Sequence, residues 1–310
     1  MPRLIRDRDA DTDLPASVDH ELLSRTHVQF PLPGEKSQVD TAISLFKLAR
    51  IVGRTLEELY TTTLRRGGVA KITRLQAELD AWERENDTTT SRDTDSGDAT
   101  SGISASVDKS LASMFLKVSH NVATIHVHRP ALSFTTAHPQ FVSSLKTCGQ
   151  ASASLIKLLS QGRTDIYSDT AGLTTVVNST AGGTWPETIL AMLLYPNGVH
   201  MLWQAGLTVL FTRLKGYPVT TDHDESIIRS CIDTLRYLHS NTDDAGDRVG
   251  QCADVLDLLR EKVFSDIQAP PELENLQWNV WDWPLESALE LANTLNSAPL
   301  YLNPTREAWM

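Results

Sequence analysis

Cysteine is scarce: Cys148, Cys231 and Cys252 stand singly in 310 residues, and no CxxC pair occurs. That excludes a disulfide framework and a cysteine-built zinc site, and it makes a reducing compartment the expectation. Basic residues are outnumbered, with 28 Lys and Arg against 39 Asp and Glu for a net charge of −11. Such a surface repels phosphate, which argues against unaided binding to nucleic acid or to an anionic membrane. No apolar stretch follows Met1-Pro2-Arg3-Leu4-Ile5-Arg6-Asp7, as a signal peptide requires. Long apolar runs are missing too, with one exception to weigh. Ile189 to Phe211 carries no Asp, Glu, Lys or Arg, but Pro196-Asn197-Gly198 breaks it and His200 and Gln204 interrupt it. Two buried helices joined by a turn fit that run better than a membrane span.

What remains is an ordinary globular composition, 41% hydrophobic and 22% charged, which excludes a wholly disordered chain. Residues 1–36 are polar and punctuated by Pro15, Pro31 and Pro33, an irregular lead-in. From Ser37 the apolar residues Leu45, Leu48, Val52, Leu56 and Leu59 recur at helical steps, up to Gly67-Gly68. Ile72, Leu75, Leu79 and Trp82 mark a second helix, with Glu78, Glu83 and Arg84 on its other side. The tract 86–106 is nearly all Asp, Ser, Thr and Gly, too polar to offset its ordering entropy, and is expected to be a disordered loop. Helical spacing resumes through Leu111, Phe115, Val118, Val122 and Ile125 and stops at Arg129-Pro130, because the residue before proline avoids the helical region. Further helices are read through Leu145–Leu159, Ile227–Leu235 and Val255–Leu259, and alternating strand patterns are lacking. The reading is an all-α, irregular multi-helix array. A helical domain spans 37–266, and a Trp-rich acidic segment follows at 267–310.

Recognisable chemistry is hard to find. Asp7, Asp9, Asp11 and Asp13 alternate as in a calcium loop, yet the positions needing Gly and Glu hold Thr12 and Val18 in one register and Leu14 and His20 in the other. His126 and His128 are two apart, so on a helix they point to different sides and cannot share a metal. No GxSxG, GxxxxGK[ST] or strand-borne GxGxxG occurs. Cys148 is read as the start of a helix, where the dipole would favour a thiolate, although no partner His can be assigned by spacing. Arg65-Arg66 at a helix end, and Arg3, Arg6 and Arg8 among aspartates, do not form a basic patch.

Several stretches, taken in order, resemble the regulatory ("middle homology") region of fungal binuclear zinc-cluster transcription factors. Pro2 to Pro15, with Asp9, Asp11 and Asp13, resembles that family's G-R-P-x-x-I-x-D-x-D-x-D-x-x-L-P turn. Ile51-Val52-Gly53-Arg54 with Leu59-Tyr60 is similar to its hydrophobic-Gly-Arg helix, and Leu75, Leu79 and Trp82 to its L-x-x-L-x-x-W helix. Val127-His128-Arg129-Pro130-Ala131-Leu132 is similar to its L-H-R-P-x-L helix end, and Cys148-Gly149-Gln150-Ala151 to a C-x-x-A-A helix start. The family's six-cysteine zinc cluster and the coiled coil after it are absent from this sequence.

The resemblance implies a nuclear, non-enzymatic module that restrains or responds through other proteins or small effectors. Its expected partners are the transcriptional machinery or another subunit of its own family. No cofactor, membrane contact or direct DNA binding by this chain is expected, since the zinc cluster is missing. The resemblance also implies that the chain opens inside a family turn and is truncated upstream of Met1, leaving apolar helix faces uncovered and prone to self-association. Two rival readings are a helical enzyme or small-molecule pocket using His126 or His128, and a helical scaffold for other proteins. Trp278, Trp281 and Trp283 sit among Glu272, Glu274, Asp282, Glu286 and Glu290, a mixture compatible with an activation segment. Docking of these rings on the core is the preferred reading, because tryptophan is usually mostly buried. Residues 270–310 fused to a heterologous DNA-binding domain are accordingly expected to leave a reporter silent; activation would establish the other role.

Overall fold

The computed structural model describes residues 13–18, 22–23, 27, 29, 37, 39–60, 67–91, 103–161, 198–220, 223–241 and 246–264. Among these the fold is all-α, with seven α-helices and no strand. They are α1 (Val39–Leu59), α2 (Gly68–Ser91), α3 (Ile103–His128), α4 (Pro139–Gln161), α5 (Gly198–Leu214), α6 (Asp224–Asn241) and α7 (Gly246–Phe264). A 3-10 helix, Arg129–Ser133, follows α3. The chain divides into two compact units, Met1–Pro130 and Ala131–Met310, with the boundary inside the stretch read from sequence as one helical domain.

In the first unit α1, α2 and α3 pack against one another pairwise. A capping box starts α1. The Ser37 hydroxyl accepts the Val39 N–H at 3.1 Å, and the Asp40 carboxylate accepts the Ser37 N–H at 3.1 Å. Gly67, at a left-handed φ of 74°, turns the chain into α2, and its carbonyl accepts the Lys71 N–H at 3.1 Å. Leu48 and Ile51 from α1, Ile72, Leu75, Leu79 and Trp82 from α2, and Val118, Ala123 and Val127 from α3 form the core. Helix reaches into both ends of the tract read as a loop, because α2 runs on to Ser91 and α3 opens at Ile103. At the point where the pattern loses its apolar residues, the Asn86 side chain donates to the Trp82 carbonyl at 2.7 Å, keeping the polar turn on the helix. Phe46, Leu56, Val69 and Phe115 are among this unit's exposed large apolar side chains.

The second unit is arranged around α5, which packs against α4, α6 and α7 and buries 11 of its 17 residues. That explains why it carries no charge before Arg213 in its last turn: a helix surrounded by others has no polar face to keep. No helix among the described residues is long and apolar enough to cross a membrane. The first half of the uncharged run, residues 189–197, lies outside the described residues. Gly216, at φ 78°, closes α5. Its N–H bonds the Arg213 carbonyl at 3.0 Å, and the Tyr217 N–H bonds the Thr212 carbonyl at 2.9 Å, a Schellman motif. Asp224, only 2% exposed, then opens α6 by accepting the N–H groups of Val219 and Thr220 and the Thr220 hydroxyl at 2.8–3.0 Å. Arg260 on α7 reaches Glu225 on α6 at 2.9 Å and Asp257 on its own helix at 2.7 Å, while Arg236 on α6 meets Asp257 at 2.7 Å.

Glycines set the spacing of these helices. A Cβ built on Gly206 would meet the Leu256 side chain at 3.0 Å and Cys231 Sγ at 3.1 Å, and one on Gly250 the His239 ring at 3.3 Å. At Gly149 it would stand 2.8 Å from Thr212 Cγ2 and from Val219 Cγ2. Both neighbours there are β-branched and stiff at χ1, so they cannot swing aside. Gly149→Val is therefore expected to cost roughly 1–3 kcal/mol by overpacking. The measurement is a urea midpoint lowered at unchanged m value; an unshifted midpoint would show that α4 and α5 tolerate a wider spacing.

Candidate functional site

Gly53, Arg54, Trp82, His128 and Arg129, singled out by the family resemblance, lie in the first unit, as do Asp13 and Pro130. Gly53 is buried within α1, and Arg54 one residue on forms an ion pair with Glu78 on α2. Arg74 extends this pairing to Glu58 and, at 3.7 Å, to Glu78, and Lys71 donates to the Glu58 carbonyl at 3.2 Å. These groups are a quarter to a half exposed, so each pair is worth little alone and the network mainly fixes register.

Trp82 links three helices. Its indole N–H donates to the Ser44 carbonyl on α1 at 2.9 Å. Its ring stacks on His120 of α3, with centroids 5.5 Å apart and planes at 10°. Buried indole N–H groups need an acceptor, and here the α1 backbone supplies it. His120 Nδ1 also lies 3.8 Å from Glu83 Oε1. At the other end of the unit, Tyr60 donates its hydroxyl to the His126 carbonyl at 2.8 Å and meets the His126 ring edge-on.

His128 is 5% exposed, and its Nε2 lies 2.9 Å from Gln76 Oε1. Gln76 passes the interaction on, its amide nitrogen donating to Asp80 at 2.6 Å. With that nitrogen committed to the carboxylate, Gln76 Oε1 is an acceptor, which puts a proton on His128 Nε2. Burial drives the His128 pKa down from 6.5 to about 4, against the opposing pull of the Asp80 charge. At neutral pH the imidazole is uncharged and serves as a strut between α3 and α2.

The remaining predicted positions are spread out. Pro130 is the last residue of the first unit and sits in the 3-10 helix Arg129–Ser133, whose buried Ala131 and Leu132 belong to the second. Asp13 is exposed, while Asp9, Asp11, Trp278, Trp281 and Trp283 lie outside the described residues. Cys148 does not start a helix. Helix α4 opens at Pro139, with His138 Nδ1 accepting the Gln140 N–H at 3.1 Å, so Cys148 lies in the third turn and is fully buried. The helix N-terminus therefore lies more than two turns from it, beyond the first turn where the dipole acts. Burial raises the thiol pKa of Cys252 to about 11 and pushes that of Cys231 higher still. Among the described residues, no group of three or more His, Cys, Asp or Glu could hold a metal ion. Sequence reasoning missed Gln76, Asp80 and Ser44. The first two lie four apart on α2 beside its apolar stripe, which was the available signal, whereas a backbone acceptor such as Ser44 leaves no trace in side-chain identity.

No family model matches this chain, and no solved structure does. It is similar to transcriptional activator protein acu-15 of Neurospora crassa, 24% identical over 164 residues. The match covers 51% of this chain and 17% of that protein, so the chain spans about a sixth of the relative's length. That relative is, by its name, a transcriptional activator.

The His128 strut has a pH signature. An unfolded chain takes up the His128 proton near pH 6.5, the folded chain only near 4. Between those values the unfolded state binds more protons, so the stabilisation is complete above 6.5 and is lost as pH falls towards 4. The loss from this one group amounts to about 3 kcal/mol. Denaturation curves of the parent and of His128→Gln, compared from pH 7 to 4, should show the parent losing that much more; parallel curves would contradict the assignment.

Proposed function

We propose that this chain is a regulatory module of a fungal transcription factor, acting in the nucleus through protein contacts rather than by reading DNA. The similarity to a Neurospora transcriptional activator carries this reading. The family-like motifs add support, because Arg54, Trp82 and His128 tie α1, α2 and α3 together through named partners. Residues that resemble a family's pattern are here the residues that fix a helical unit, as shared ancestry of a fold would require. Transcriptional machinery or another subunit of the same family is the proposed partner, with a small molecule as the proposed effector.

His128 does not suit acid–base work. A buried imidazole uncharged down to about pH 4 offers no proton at neutral pH, and its Nε2 is engaged by Gln76. The net charge of −11 favours protein partners over nucleic acid.

Two measurements test the proposal. Placed between a heterologous DNA-binding domain and a constitutive activation domain in a fungal reporter strain, residues 1–310 should lower or condition the output severalfold. Output equal to that of the fusion without the insert would sink the regulatory role. The purified chain should bind neither zinc by elemental analysis nor duplex DNA in a gel shift at ~150 mM salt, where exposed charges are screened beyond about 8 Å. Stoichiometric zinc or a sequence-dependent shift would overturn the claim that it does not read DNA.

A further inference from the structure

We draw no further inference here: the strongest candidate, the exposed apolar face of α1 that carries Phe46, Ala49 and Leu56, is an unpartnered helix face, and nothing in the structure shows what covers it.

Discussion

How closely α4, α6 and α7 can approach α5 governs the second unit. A helix as apolar as α5 is stable in water only when it is covered on most of its surface. Covering it with large residues everywhere would hold the surrounding helices too far off to share one core. Gly149 and Gly206 remove that obstacle at two levels, letting Thr212, Leu256 and Cys231 sit where a side chain would otherwise be. The hydrogen bond from Cys231 Sγ to the Leu202 carbonyl, at 3.4 Å, is a product of the same closeness. Around this packing the charged groups lie on the outer side of α6 and α7. There Arg260, held by Asp257 and Glu225, ties the two helices where water can still reach them.

The first unit is held differently. Beside its aliphatic core, its helices are joined by side chains that combine an apolar body with a polar end. Trp82 and His128 bury a ring, Tyr60 half-buries one, and each bonds its polar end to a neighbouring helix. Such contacts specify register more sharply than aliphatic packing does, because an indole N–H or an imidazole displaced by one turn loses its acceptor. Truncating any of the three costs packing and also strands a backbone carbonyl or an amide, which is why they suit a small three-helix unit.

Helix existence was readable in the sequence wherever apolar residues kept a 3.6-residue step. Leu75, Leu79 and Trp82 mark α2, and the expected start near Ser37 agrees with the capping box at Ser37 and Asp40. Boundaries were less legible where local polar chemistry extends a helix beyond its stripe, as at Asn86. Helix α4 begins at Pro139, proline at the first helical position, well before the start read at Cys148. The pairings across helices were not legible: nothing in the chain near Gly149 announces Val219, and nothing near Gln76 announces His128. Nor does composition change at Pro130, where the two units part, since both sides of the break are helical and mixed in polarity.

All three cysteines lie in the second unit, and two of them, Cys148 and Cys231, have no exposed surface. The thiols are thereby distributed as a built-in clock. An alkylating reagent can reach Cys148 or Cys231 only when the helices around α5 separate, so their labelling rates measure how often that core opens. Cys252, partly accessible on α7, reports looser motions of its own helix and serves as the fast reference. The first unit, holding no cysteine, is silent in the same experiment, which separates the opening of one unit from that of the other within a single unmodified chain.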